Sequence, residues 1–172
     1  ATVATSVGGL SVTVYDAYNN TVAGAIVTLT VTTPTASGVG VVSNNGTLSS
    51  YTLTTDGSGV ASLATWTLGT VTGVNTVDAF ISGTATSVAF TSNGTVADMS
   101  PINALVTANP TDIEADGTST SVISLQLRDT YGNNITSTQS VTDVVLRFSA
   151  GGFPGIVDDM GNGLYQEVLT SS

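Results

Sequence analysis

Apolar and polar residues alternate along much of the chain, and this alternation is its strongest local pattern. Successive side chains of a strand point to opposite faces of a sheet, so each alternating stretch predicts a strand with one buried face. Turn signals rich in Asn and Gly separate these stretches at intervals of about ten residues, and no stretch has a helical period. The pattern therefore predicts an all-β sandwich with strands at residues 10–14, 25–31, 59–63, 76–81, 88–90, 123–127, 144–148 and 163–169.

An internal repeat divides the chain into two parts. Residues 10–20 (LSVTVYDAYNN) align with residues 123–133 (ISLQLRDTYGN), which lie 113 positions further on. Two copies of one pattern predict two tandem domains of one type, which we place at residues 1–98 and 99–172. The second copy ends before the counterparts of the last two strands of the first. Either the chain is a fragment of a longer protein, or another chain supplies the missing strands.

Composition excludes several kinds of chemistry. The 172 residues include twelve Asp and Glu but only two basic residues, both Arg, and there is no His, Cys or Lys. These absences exclude a Ser-His-Asp triad, a thiol nucleophile, a disulfide, an ordinary zinc site and a lysine Schiff base. Carboxylates are the only candidates left for acid–base work, and most of them lie at predicted turns and strand ends. We therefore predict no catalytic residues and no enzyme.

Charge and hydropathy indicate which partners the protein lacks. The net charge is −10, and an acidic surface disfavours binding to nucleic acid or to an anionic membrane. No run of about 18 apolar residues is present, so direct membrane insertion is not expected. A chain rich in Thr, Val and Ser but without Lys is typical of extended extracellular β proteins, which favours a location on the cell surface.

Longer motifs resemble a known family. Residues 10–30, 54–61, 66–69 and 73–77 resemble strands of bacterial immunoglobulin-like domains of the invasin/intimin type. In the second copy, residues 108–119 look like the first strand of such a domain, and residues 159–165 look like its later hairpin. The resemblance implies two tandem immunoglobulin-like β-sandwiches, the second lacking its last strands, and it implies no catalytic residues.

The resemblance leaves three functions open. It favours a non-catalytic stalk segment of a large extracellular adhesin or surface protein, with neighbouring immunoglobulin-like domains as partners. The first alternative is a subunit of a self-assembling surface filament or layer, in which a strand from a neighbouring chain, for example residues 1–7, completes the second domain. The second alternative is a module that binds a glycan or a protein receptor.

Acidic residues near the domain junction are candidate calcium ligands. Asp112, Glu114 and Asp116 alternate, so on a strand they share one face, and Asp98 belongs to the same junction. Carboxylates on one face repel each other unless water or a cation screens them, and calcium prefers oxygen ligands. The competing interpretation is a solvated strand edge whose charges discourage pairing. Calcium is the one cofactor that the sequence suggests.

A second acidic motif, Asp-x-Tyr-x-Asn, occurs in both copies and begins at Asp16 and at Asp129. Its oxygen atoms at alternate positions can ligate calcium at a strand end. Asp and Asn side chains also accept and donate local backbone hydrogen bonds in turns. Because such turns are common, we favour the turn.

Two aromatic residues are candidate contact residues. Trp66 has the opposite parity to Leu63, and Phe80 is out of phase with Val77 and Ala79, so each can face outward and bind a sugar or a neighbouring subunit. A bulge that breaks the parity places the ring in the core instead. We favour the core for Trp66 and leave both interpretations open for Phe80.

Overall fold

The computed structural model describes residues 1–33, 49–136, 144 and 157–172, which divide into two compact units. Unit 1 comprises Ala1–Thr95, and unit 2 comprises Val96–Ser172. Across these described ranges the regular elements are strands, apart from a short 3-10 turn at Pro101–Asn103, so the predicted all-β fold is confirmed. The strand predicted at 144–148 lies, from residue 145 onward, outside the described residues.

Unit 1 is a sandwich of two antiparallel sheets. One sheet pairs β1 with β4, and the other has the order β3-β2-β5-β6. Most of these strands follow the predicted alternation, whereas β3 was not predicted. Their bounds are β1 Leu10–Thr13, β2 Ile26–Thr33, β3 Ser50–Thr54, β4 Val60–Leu63, β5 Gly73–Ile81 and β6 Ser87–Gly94.

The core of unit 1 lies between its two sheets. Val27 and Leu29 of β2 pack there with Val77 and Ala79 of β5, and the second sheet contributes Leu63. Each of these residues is followed by a polar or less buried neighbour, as the alternating pattern requires. Fully burying a side chain such as Leu or Val contributes about 1.5–3 kcal/mol, so this shared face provides much of the stability of the unit.

The opposite face of the larger sheet is covered by hydroxyl groups. Thr28 and Thr52 lie across from each other on β2 and β3, with their Oγ1 atoms 3.4 Å apart. Thr30 and Ser50 form the next cross-strand pair, with 3.2 Å between their hydroxyl oxygens. Neutral hydroxyl pairs of this kind stabilise neighbouring strands without any charge.

The first seven residues belong to unit 1 itself. The Val3 N–H donates to the Thr95 carbonyl at 2.9 Å, and the Thr95 N–H donates to the Ala1 carbonyl at 2.8 Å, in a parallel bridge. The Val7 N–H donates to the Trp66 carbonyl at 2.9 Å, and the Val3 side chain is buried. Residues 1–7 are therefore paired within their own domain.

The described part of unit 2 is built on one antiparallel sheet. Its order is β7-β8-β10-β9, and its buried cluster contains Leu127, Ile135 and Tyr165. The strands are β7 Leu105–Asn109, β8 Thr120–Gln126, β9 Asp158–Gly161 and β10 Leu164–Thr170.

The repeat seen in the sequence is also a repeat of backbone geometry. Strand β8 corresponds to β1, and β10 corresponds to β4, because both pairs are antiparallel in matching registers. At the end of each pair the same bond forms: Val14 N–H donates to Gly59 at 2.9 Å, and Leu127 N–H donates to Gly163 at 2.8 Å. The described residues of unit 2 contain no counterparts of β5 and β6.

Candidate functional site

The loop at Asp16 is closed by its own carboxylate. Oδ1 of Asp16 accepts the backbone N–H groups of Tyr18 and Asn20, both at 2.8 Å, and the Asn20 side chain donates to Oδ2 at 3.1 Å. The residue between them, Asn19, has a φ of 68°. Asn tolerates this left-handed conformation better than most residues, which explains its place in the turn.

The loop at Asp129 repeats this arrangement. Its Oδ1 accepts the N–H groups of Tyr131 at 2.8 Å and Asn133 at 2.9 Å, and the Asn133 side chain donates to Oδ2 at 2.8 Å. Gly132 occupies the left-handed position with a φ of 86°. The turn interpretation of the Asp-x-Tyr-x-Asn motif is therefore confirmed in both copies.

A third loop of this kind lies at Asp56, where the sequence predicts a turn but does not single out the carboxylate that closes it. Oδ1 of Asp56 accepts the N–H groups of Ser58 at 2.9 Å and Val60 at 3.0 Å, and the Ser58 hydroxyl donates to the same oxygen at 2.6 Å. Gly59 has a φ of 78°. The shared signal is an Asp followed three positions later by Gly or Asn, and it identifies all three loops.

The two Asp-x-Tyr-x-Asn loops differ in what covers them. Asp16 is exposed, whereas Asp129 is completely buried, at 0% exposure. In unit 2 the Ala97 N–H donates to Oδ2 of Asp129 at 3.0 Å, and the Asn103 side chain donates to its carbonyl at 2.9 Å. The segment 96–104 thus packs over Asp129 and uses its second carboxylate oxygen.

Hydrogen bonds lower the pKa of both carboxyl groups. For Asp16 the main cause is the N–H of Asn20, followed by the Asn20 side chain. For Asp129 burial raises the pKa, but the bonds from the Asn133 side chain and the Ala97 N–H outweigh it, and the net shift is downward. Both aspartates are therefore held as anions at neutral pH, as acceptors rather than as acids or bases.

The four acids predicted as calcium ligands are not gathered into a metal site. Strand β7 ends at Asn109, and Pro110 cannot donate to a ladder, so Asp112, Glu114 and Asp116 do not lie on a strand. Among the described residues, no three acidic side chains converge in a way that could hold a metal ion. The arrangement predicted for these three residues with Asp98 is therefore wrong.

Asp116 instead closes a local turn. Its Oδ1 accepts the N–H groups of Ser119 at 2.6 Å and Thr118 at 2.8 Å, and the Ser171 hydroxyl at 3.0 Å. These bonds, led by the one from Ser119, lower the pKa of Asp116 far below its usual range. Glu114 and Asp98 are exposed.

Trp66 lies in the core of unit 1, with only 2% of its surface exposed. Strand β4 ends at Leu63, and a new pairing begins at Trp66, whose N–H donates to the Gly8 carbonyl at 3.0 Å. This new partner resets the phase, so Leu63 and Trp66 both point inward despite their opposite parity. The favoured interpretation of Trp66 as a core residue is therefore confirmed, and its alternative as a surface contact is wrong.

Phe80 faces away from the core, as its parity predicted. The ring is 40% exposed on the hydroxyl-covered face of the larger sheet of unit 1. Thr28 of β2 and Ser87 of β6 lie directly opposite it, and Asp78 precedes it on the same face. An exposed aromatic ring beside hydroxyl and carboxylate groups can contact a partner.

Asn75 is a buried polar residue that the sequence did not single out. It is completely buried, and its Oδ1 accepts the Gly69 N–H at 2.8 Å while its Nδ2 donates to the Gly73 carbonyl at 3.2 Å. These bonds hold the loop before β5 against the core. Its role is structural.

Comparison with known proteins identifies the second unit. A family model described as invasin, domain 3, matches residues 100–172. Unit 2 is an invasin-type immunoglobulin-like domain.

Two solved structures are similar to the whole chain. The crystal structure of invasin, a bacterial integrin-binding protein, is 26% identical with a TM-score of 0.43, and the match covers 99% of this chain and 31% of that one. FdeC, an adhesin of Escherichia coli, is 22% identical with a TM-score of 0.51 and coverages of 98% and 51%. The chain therefore spans about a third and about half of the lengths of these two structures.

Unit 2 has a buried acid at a position where unit 1 has an apolar core residue. Glu167 lies on β10 at the position that Leu63 occupies on β4, and both are buried. Beside it, burial and the charge of Asp159 raise the pKa of Tyr165.

The described parts of the chain contain no helix with the length and apolar character needed to cross a membrane.

Proposed function

We propose that the chain is a non-catalytic spacer segment of a bacterial surface adhesin, situated outside the cell. Two domains of one type in tandem, one of them of the invasin family, support this role. The chemistry of the described acids supports it too, because aspartates that act as turn acceptors are not placed to transfer protons to a substrate.

The observation that carries the proposal is the pairing of the first and last residues of unit 1. Ala1 and Val3 bond to Thr95 in a parallel bridge, and the Thr95 hydroxyl also donates to the Ala1 carbonyl at 3.2 Å. When the two ends are pulled apart, parallel segments slide along each other, so their hydrogen bonds are loaded together rather than one after another. This geometry suits a domain that transmits tension.

Force spectroscopy on the whole chain tests the spacer role. Thr95→Pro removes the N–H that donates to Ala1, whereas Thr95→Ala keeps that N–H and removes the side-chain hydroxyl and methyl groups. We expect Thr95→Pro to unfold unit 1 at a markedly lower force and Thr95→Ala to remain close to wild type. A wild-type unit 1 that unfolds at negligible force, or two variants that behave alike, contradicts the proposal.

A second candidate function is glycan binding at Phe80. The exposed ring can stack on the apolar face of a sugar, and the neighbouring Thr28, Ser87 and Asp78 offer hydrogen-bond partners. A glycan array probed with wild type, Phe80→Ala and the control Val74→Ala tests it, because Val74 is exposed on the same face. Binding that persists in Phe80→Ala, or an array without hits, removes this candidate.

A further inference from the structure

One end of the outer face of the larger sheet in unit 1 combines exposed apolar side chains with hydroxyl groups. Phe80 is 40% exposed, and Ile26, which lies two residues from the cross-strand partner Thr28, is 48% exposed. An aromatic ring reaches such a diagonal neighbour, so the two side chains form one apolar patch. We call this end of the sheet the Phe80 face, which consists of Ile26, Thr28, Thr52, Thr54, Asp78 and Phe80.

The Phe80 face lies at the end of the sheet opposite to two other features of unit 1. Strand β2 runs from Ile26 to Thr33 and leads into residues 34–48 only at its far end. The amino group of Ala1 donates to the Asn93 carbonyl at 3.1 Å, near the end of β6, whereas Phe80 lies opposite the first residue of β6. The face is therefore composed of described strands and lies away from both of these points.

The Phe80 face carries little charge, although the chain is strongly acidic. The net charge is −10, yet only Asp16, Asp56 and Asp78 among the twelve acids lie in unit 1. Asp16 and Asp56 accept hydrogen bonds within their own turns, and Asp78 is the one carboxylate of the Phe80 face. Because like charges repel, two copies of this chain approach each other most easily through a surface of this kind.

Hydroxyl groups make the Phe80 face complementary to itself. A hydroxyl group has one hydrogen atom to donate and two lone pairs that accept. In the Thr28–Thr52 pair, whose oxygen atoms are 3.4 Å apart, one hydrogen atom is used between the two residues and the other is left, together with lone pairs. The pair can therefore both donate to a second copy of itself and accept from it, which a pair of carboxylates cannot do.

We propose that the Phe80 face is a homotypic contact site that binds the same face of a second copy of the chain. Contacts between identical chains most often have a two-fold axis, so that each patch meets itself. An axis that runs across the strands at Phe80 brings the two rings together and places the two Asp78 residues on opposite sides of it. Two residues span about 6.5 Å of strand, so the Asp78 positions are about 13 Å apart, beyond the Debye length of about 8 Å at 0.15 M salt.

The size of the Phe80 face determines how strong this contact is. The face spans three strands about 4.8 Å apart and about five residues of each strand, which gives an area of a few hundred Å². Each partner in a stable complex buries about 800 Å², so a single contact of this kind is weak. Association becomes strong where many copies act together, as between two surfaces that each display the chain.

Beads coated with the whole chain test the proposal, because each bead displays many copies. Thr52 lies in the same cross-strand row as Phe80 and meets its own copy at the axis. We expect wild-type beads to aggregate and Thr52→Glu beads to aggregate at least tenfold more slowly, since two carboxylates then face each other. Ser62→Glu adds the same charge at an exposed position of the smaller sheet, and we expect it to behave as wild type. Circular dichroism verifies that both variants are folded.

A mixture of oppositely charged variants shows whether the face meets itself. We expect Thr52→Lys beads to restore aggregation of Thr52→Glu beads, because opposite charges then meet at the axis, and Ser62→Lys beads not to restore it. Dispersed wild-type beads, an equal loss in Ser62→Glu, or a Thr52→Lys mixture that stays dispersed overturns the proposal. The purified chain needs no sugar for this contact, so the outcome is independent of glycan binding at Phe80.

Discussion

The loops at Asp16 and Asp129 share a backbone path and differ in burial. Each carboxylate accepts the N–H groups two and four residues ahead, within 0.1 Å of the same distances in the two copies. Only Asp129 also receives the N–H of Ala97. Local sequence thus determines the turn, while a segment about 30 residues away determines whether its aspartate is buried. The same motif serves as a surface turn in unit 1 and as a buried anchor in unit 2.

The largest expected effect distinguishes the two aspartates directly. In Asp129→Asn the new amide faces two donors, the Ala97 N–H and the Asn133 side chain, so we expect unit 2 to lose about 3 kcal/mol. Asp16→Asn meets only the Asn20 side chain at the surface, and we expect a much smaller loss. Urea unfolding measures both, with Trp66 fluorescence reporting unit 1 and far-ultraviolet circular dichroism reporting the whole chain. Equal losses contradict the distinction.

The next prediction concerns two glycines that occupy equivalent positions in the two units. Gly59 and Gly163 both have positive φ values, and a Cβ would lie 2.7 Å from the Thr21 Cβ in the first case and 2.9 Å from the Ile135 carbonyl oxygen in the second. We expect Gly59→Ala and Gly163→Ala each to destabilise their own unit by about 2 kcal/mol or more. The same unfolding experiment applies. If only one unit responds, the equivalence of these positions is wrong.

Lowering the pH tests whether the stability of unit 2 depends on the charge of the Asp129 carboxylate. The folded pKa of Asp129 is lower than in the unfolded chain, so its contribution is present above about pH 4 and is lost as the pH falls through the folded pKa. We therefore expect the stability gap between wild type and Asp129→Asn to narrow as the pH falls from 7 to 2. Unfolding curves at several pH values measure it. A gap that stays constant shows that the carboxylate charge does not matter.

The smallest effects are expected at the left-handed positions of the two loops. Gly132 has open space around its Cα, so Gly132→Asn matches the residue that unit 1 uses at Asn19, and we expect a change within about 0.5 kcal/mol. Gly132→Ala retains the strained φ without the help of a polar side chain, and we expect a loss of about 1 kcal/mol. Thermal melts resolve these differences. A larger loss for Asn than for Ala contradicts the interpretation.

Alternation was sufficient to predict most strands, because one buried face is a local property of the sequence. It did not reveal β7, since Leu105 and Val106 of this strand are largely exposed and the strand is defined by its pairing with β8. The 113-residue repeat indicated two units because its copies keep the same backbone bonds. Strand alternation and a repeated motif can both be recognised from short stretches of sequence.

The candidate site was harder to predict, because contacts distant in sequence decide it. Trp66 points inward because it pairs with Gly8, which parity counted from Leu63 cannot show. Asp112 and Asp116 were placed on one strand face, but the chain leaves the sheet at Pro110, and Asp116 bonds to Ser119 instead. Phe80 followed its parity because β5 runs without interruption through that position.

The hydroxyl pairs on the outer face of unit 1 determine how this face responds to ionic strength. Ion pairs at a surface weaken as ionic strength rises, because the Debye length falls from about 30 Å at 0.01 M to about 3 Å at 1 M. The pairs Thr28–Thr52 and Thr30–Ser50 carry no charge to be screened. We therefore expect these two cross-strand pairs to persist unchanged in fresh water and in brine.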